Sequence, residues 1–377
     1  MKRERLGTTL QTIFLALAWL GLAGHALAQG GTVAAWGSNT YGQTNVPSGL
    51  SNVVALAAGE MHSLALNGDG TVRAWGYNSN GQTNVPSGLS NVIAIAGGSH
   101  HSLALRSDGT VVAWGYNYDG QTNVPSGLSN VLAIAAGVYH SLALKFDGTV
   151  APWGQNYDGQ TNVPSGMSNV VAIAAGDNHS LALNADGTVT AWGQNYAGET
   201  NVPSGLSNVV AIAGGAKHSL ALKADGTVAA WGWNYFGQTN IPSGLSNVVA
   251  IAAAGHYSLA LKADGTVAAW GVNGDGQTNV PSGLSNVVAI AAGWFHSLAL
   301  IQNSPPFSQL SNPLKVGNTF TFSAGTQSGR VYVLQFKNSL ADTNWTSLPL
   351  VAGTGANRLL TDSNAVAPTR FYRLRQW

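Results

Sequence analysis

The sequence predicts an all-β chain: a seven-bladed β-propeller followed by a small β-sandwich-like module. Trp-Gly recurs at Trp36, Trp75, Trp114, Trp153, Trp192, Trp231 and Trp270, always 39 residues apart. The run HSLAL keeps the same period from His62 to His296, with Tyr257 in the sixth His place. Short apolar runs between these marks are punctuated by Asp-Gly, Pro and Gly. Short strands at this period fit a propeller blade better than any helical repeat. The competing architecture is a linear β-solenoid, whose coils are shorter and more even than a 39-residue unit with two hairpin signals.

Residues 1–28 read as a signal peptide. Lys2, Arg3 and Arg5 make a basic start, Ile13 to Gly24 is apolar but short for a membrane span, and Ala26-Leu27-Ala28 is a cleavage signal. An uncleaved anchor is the rival reading of that segment. Residues 29–303 are the propeller, with each copy close to GTVxAWGxNxxGQTNVPSGLSNVVAIAAGxxHSLALxxD. SLAL alternates small and large residues, as a strand with one buried face does. Asp-Gly then turns the chain into TVxAW, which returns antiparallel. VVAIAAG is continuously apolar and reads as a strand buried on both faces in a crowded inner ring. TNVPSGLSN is a turn-rich connection. The seventh HSLAL lacks a following TVxAW, and the chain opens at Gly31 with one that lacks a partner. Residues 32–36 should therefore pair with 297–301 and remove two exposed edges. Residues 304–307, with Pro305-Pro306, form a linker. Residues 308–377 lack the repeat and read as short strands in a separate β-module. There, Arg370, Arg373 and Arg375 alternate along a strand and read as a solvated face.

The chain has no cysteine, so an exported form must be stable through its core alone. Its net charge of +1 conceals an asymmetry. Residues 29–303 carry 6 basic and 12 acidic side chains, and residues 304–377 carry 7 basic and 2 acidic. An acidic propeller offers no electrostatic footprint for nucleic acid.

WG, GQTNVP, VVAIAAG, HSLAL and DGTV resemble the repeats of the regulator of chromosome condensation superfamily. They are most similar to its secreted bacterial branch, which includes propeller-type β-lactamase inhibitory proteins. The resemblance implies a seven-bladed propeller and a non-enzymatic, protein-binding role. Residues 308–377 resemble the small β-sandwich module found at the end of secreted bacterial proteins.

Seven copies permit an internal comparison: constant positions serve the blade, and variable ones are free of that demand. The constant His-Ser pair reads as buried and hydrogen-bonded structure rather than nucleophile and base, since no copy supplies a third group or an oxyanion site. Equivalent histidines in different blades lie too far apart to share a metal. The Asp-Gly aspartates serve turns, and no phosphate loop is present, so no cofactor and no metal are expected. Two clusters vary most: the residues after Trp-Gly and the two before His. Both lie at the hairpin end away from Asp-Gly, so they should share one face of the disc. Of these 35 positions, 12 are aromatic: Tyr41, Tyr77, Tyr116, Tyr118, Tyr139, Tyr157, Tyr196, Trp233, Tyr235, Phe236, Trp294 and Phe295. Glu60, Asp119, Asp158, Asp177 and Asp275 share that face with Lys217. A recess is expected where the mostly small Gly255, His256, Val272, Gly274 and Asp275 lie between Trp233, Tyr235 and Phe236 on one side and Trp294, Phe295 and Tyr41 on the other. Aromatic anchors in an acidic surround point to a protein partner engaged by a monomeric, secreted, non-catalytic propeller. The alternative is a carbohydrate- or cell-wall-binding module, with rings stacking on sugars. An enzyme is the third reading, and nothing in the residues supports it.

Overall fold

The computed structural model describes residues 31–377 apart from 303–306, 309, 317, 327–329, 340–341, 343–344, 355–356 and 366–369. The signal-peptide segment and residues 304–306 of the linker lie outside the described residues. Every regular element described is a β-strand, and none of the described residues forms a helix long and apolar enough to cross a membrane.

The repeats form seven three-stranded antiparallel sheets. Sheet one is Val53–Ala58, His62–Asn67 and Val72–Gly76. Sheets two to six repeat this pattern from Val92, Val131, Val170, Val209 and Val248. Sheet seven joins Val287–Ala292 and His296–Ile301 to Thr32–Gly37 from the start of the repeats. Its register, Thr32 opposite Ile301 and Trp36 opposite Ser297, is the one expected from the sequence. The ends of all seven first strands converge on one small cavity, at Gly59, Gly98, Gly137, Gly176, Gly215, Ala254 and Ala292.

Burial follows a different order from the sequence reading. The middle strands, not the first ones, are buried on both faces: Ser63, Leu64 and Ala65 have no accessible surface. Leu64 and Leu66 of sheet one pack on Ala104 and Trp114 of sheet two. The large face of one sheet thus meets the small face of the next, which explains the strict Leu-Ala alternation. The same fit recurs around the molecule, and Leu298 and Leu300 of sheet seven pack on Ala65 and Trp75 of sheet one. The first strands line a central cavity and are only half-buried along much of their length. Continuous apolarity therefore marked a channel wall, not a doubly covered strand.

Two local devices recur. Asp69 Oδ1 accepts hydrogen bonds from Thr71 N (2.9 Å) and Thr71 Oγ1 (2.7 Å), which closes the Asp-Gly turn. Each first strand carries a β-bulge at its second residue, as between Val53 and Ala55, leaving Val54 unpaired.

The C-terminal residues form a four-stranded sheet and a three-stranded sheet, with Phe322, Tyr332, Leu334, Leu360 and Leu374 in one apolar cluster. Its first strand is Phe307–Ser308, paired with the strand Phe371–Gln376. The module does not stand apart from the repeats. Leu350 N donates to Ala224 O (3.0 Å), and Val331, Val333, Leu350 and Trp377 share an apolar cluster with Val248 and Val249. It sits over the Asp-Gly ends of sheets five and six. The alternating arginines are tied down: Arg370 bonds Asp362, Arg373 Nε donates to Gln335 Oε1 (2.7 Å), and Arg375 lies 4.9 Å from the Trp377 ring centre.

Candidate binding face

The variable loops stand on a buried polar layer. His62 Nε2 lies 3.0 Å from Ser102 Oγ, and the same bond links each sheet to the next except sheet six to sheet seven, ending with His296 and Ser63 at 2.9 Å. Each histidine thus bonds the serine of the neighbouring sheet, not its sequence neighbour. The serine proton is already committed, because Ser63 Oγ donates to Gln43 O (2.9 Å), an acceptor shared with Trp75 Nε1 (2.9 Å). Nε2–H must therefore be the donor to serine, which leaves Nδ1 bare. Burial, reinforced by neighbouring histidines, drives the His62 pKa down to about 3. In the sixth copy Tyr257 OH donates to His296 O (2.6 Å) and lies 2.9 Å from Ser297 Oγ. A histidine whose serine is bound elsewhere is a structural post, not a base.

Above this layer, one backbone bond joins the two variable clusters in every sheet. Tyr77 N donates to Met61 O (2.9 Å), Tyr116 N to His100 O (2.8 Å), Trp233 N to Lys217 O (2.8 Å) and Ser38 N to Phe295 O (2.8 Å). The aromatic side chains gather into two arcs. One runs from Tyr41 to Tyr77 (ring centres 4.7 Å), His100 (6.0 Å) and Tyr116 (6.3 Å), where Tyr118 and Tyr139 join it. The other holds Tyr235, Phe236 and Trp233, then His256 at 4.6 Å from Trp233, then Trp294 and Phe295. Lys217 Nζ sits 5.8 Å from the Trp233 ring centre. Tyr157 and Tyr196 stand between the arcs, and Tyr196 OH donates to Asp158 Oδ1 (3.1 Å). Tyr77, Tyr116, Tyr139, Trp233, Trp294 and Phe295 are half-buried, while Tyr41, Tyr118, Tyr157, Tyr196, Tyr235 and Phe236 are exposed.

The expected recess between Trp233 and Trp294 is bridged by the His256 ring, which touches rings on both sides. His100 plays the same part in the other arc. Both histidines occupy variable positions, and counting only Phe, Trp and Tyr as rings hides them in the sequence. Between the arcs lies the narrow end of the central channel, lined by Glu60, Ser99, Asp177 and Trp294. Ser99 Oγ bonds both Glu60 and His100. The Asp177 carboxyl can be reached from the mouth, yet protein hems it in. That burial, with Glu60's charge, raises its pKa to about 7, against the pull of the Trp294 hydrogen bond and Lys217. Burial, then Lys217, lowers the His256 pKa. Among the described residues no group of three His, Asp or Glu side chains could hold a metal.

Residues 53–82, 92–121, 131–160, 170–199 and 209–238 match the model of the Regulator of chromosome condensation (RCC1) repeat. No curated protein sequence matches the chain. Among solved structures it is similar to Prp20p from Saccharomyces cerevisiae, studied with its binding to Gsp1p and histones (TM-score 0.64, 20% identity, 73% of this chain and 92% of that one). A chain in the complex of Kap60 with yeast RCC1 (Prp20) also matches (TM-score 0.64, 21% identity, 80% and 96%). So does human WBSCR16 (TM-score 0.59, 19% identity, 72% and 99%). Five of the repeats thus match the RCC1 repeat model, and the repeated three-stranded sheets are like those of the RCC1 propeller fold.

Proposed function

We propose that this chain is an exported, non-catalytic seven-bladed propeller of the RCC1-repeat superfamily, closest to its secreted bacterial branch. It engages another protein through its aromatic, acidic face. One observation carries the reading: two ring arcs, Tyr41 to Tyr139 and Tyr235 to Phe295, flank an acidic channel mouth on one face. Aromatic side chains held partly buried by ring-to-ring contact are preorganised anchors, and binding then costs little side-chain entropy. Seven sheets with the same packing from each to the next support the blade count. The basic start and cleavage signal support export. Prp20p is studied with Gsp1p and histones and is solved with Kap60, so protein binding is a use this fold supports. The reading is tested by affinity capture from culture supernatant with wild-type bait and with Trp233→Ala and Tyr235→Ala baits. Specific capture lost in both variants sustains it; capture that survives both places the contact off this face.

One observation favours the carbohydrate reading as the runner-up. Tyr118, Tyr157, Tyr196 and Tyr235 occupy the same position in four consecutive repeats, with relative exposures of 83, 81, 81 and 79%. Four equivalent exposed rings suit repeated weak stacking on a glycan. A glycan array separates the readings: saturable sugar binding lost in Tyr157→Ala selects the second.

A further inference from the structure

At the opposite end of the channel, the repeats depart from their consensus where no binding loop lies. The central cavity there measures about 620 Å³, within the usual size range of small-molecule sites. Leu56, Ile95, Ile212, Ile251 and Ile290 line it, and Arg330 and Trp377 of the C-terminal module close one side. Arg330 takes part in none of the ion pairs among the described residues. Asp108, the one acid in the lining, is held at the rim by Thr110. Burial disfavours the Arg330 charge, with only the Tyr332 phenol acting the other way. A guanidinium that lines a cavity and has no ion-pair partner among the described residues calls for an anion.

The repeat comparison supplies a second observation. The bulged residue is Val in five sheets but Ile93 in sheet two and Leu132 in sheet three. The residue before Asp-Gly is Gly, Ser or Ala elsewhere but Phe146 in sheet three. Val210, Val249 and Val288 are buried at the bulge, whereas Ile93 is 53% exposed and Phe146 is 69% exposed. Both border the same cavity as Arg330. Where the module leaves the disc uncovered, the chain therefore places larger apolar groups at an entrance, although exposure penalises them.

We propose that this cavity binds a long-chain carboxylate, its head paired with the Arg330 guanidinium and its alkyl chain lying along the isoleucine wall toward Ile93 and Phe146. Calorimetric titration of decanoate into the full chain tests it, with 1-decanol and decyltrimethylammonium as controls. Decanoate should bind saturably at one site, and Arg330→Gln should weaken it at least tenfold while leaving 1-decanol binding unchanged. Ile251→Trp, which fills the channel, should abolish binding even if Arg330→Gln fails to fold. The absence of saturable decanoate binding, equal binding by Arg330→Gln, or binding that survives Ile251→Trp each overturns the proposal. Loss only in Ile93→Ser or Phe146→Ser, with Arg330→Gln unaffected, shows an apolar surface patch alone and overturns it too.

Discussion

Lowering the pH loads protons onto the unfolded chain that the folded one refuses. His62, His101, His140 and His218 have pKa values pushed down to about 3, and His179 and His296 to about 4, all against 6.5. Burial is the first cause in every case. A base with a depressed folded pKa contributes stability that is intact above about pH 6.5 and lost as pH falls toward the folded value. At about pH 5 each unfolded imidazole gains about 2 kcal/mol from protonation, so the six together remove about 12 kcal/mol. Asp177, raised to about 7, acts with opposite sign and returns about 2 kcal/mol over the same interval. The net loss rivals the whole stability of an ordinary domain, about 5–15 kcal/mol. The folded ring should therefore unfold cooperatively near pH 5, well before the turn aspartates titrate. The assay is the urea midpoint by far-UV dichroism at successive pH values, with calorimetry to count protons taken up on unfolding. A midpoint that stays flat between about pH 6.5 and 5, or net uptake near one proton instead of about five (six imidazoles less the Asp177 carboxyl), would refute the buried neutral layer.

Four further outcomes follow from particular contacts and exposures. Glu199 stands where six copies have Gln; it is fully buried, Oε2 accepts Ala197 N (2.7 Å) and Oε1 lacks a partner among the described residues. Glu199→Gln should raise stability by about 1 kcal/mol, read as a higher melting temperature. Deleting residues 308–377 should lower the melting temperature, because it exposes the apolar surface under Leu350 and Trp377; an unchanged value would make the two parts independent. Trp294→Ala should weaken partner capture at least tenfold and also cost about 1 kcal/mol of folding, since Trp294 hydrogen-bonds Asp177. Tyr235→Ala, at 79% exposed, should leave melting unchanged.

What the sequence made legible was whatever seven copies repeat. Period, hairpin order and the closing pair of Thr32–Gly37 with His296–Ile301 were all readable, because each needs only a register and a missing partner. Burial was not, because it comes from outside the repeat: Leu64 and Ala65 are covered by two different neighbouring sheets, which alternation within one strand cannot reveal. The bridging roles of His100 and His256 escaped for a related reason, since each touches rings from more than one repeat. Nor could the module's strands announce their docking: Val331 and Val333 belong to the repeats' cluster, and the Tyr332 and Leu334 that alternate with them belong to the module's own.

One exception inside the repeat exposes the rule behind the rest. Gly59, Gly98, Gly137, Gly176, Gly215 and Gly293 each precede a buried histidine by three residues, and a Cβ on any of them would strike that histidine's ring. In the sixth copy the histidine is Tyr257, and the matching residue is Ala254. There the first strand runs one residue further, to Ala254 opposite Tyr257, and Gly255 takes up the turn at φ 45°. Glycine is thus demanded by the imidazole, not by the strand. Tyr257→His alone should be destabilising by about 1–3 kcal/mol, because the new ring meets the Ala254 methyl. Adding Ala254→Gly should recover part of that loss, although Ala254→Gly by itself destabilises through chain entropy. A double-mutant cycle on urea midpoints should therefore show a favourable coupling above about 0.5 kcal/mol. Strict additivity would mean that the ring contact is not what demands glycine, leaving only the neighbouring sheet's carbonyl that Gly59, Gly98, Gly137, Gly176 and Gly293 also meet, and the pairing of His with Gly would lose its physical cause.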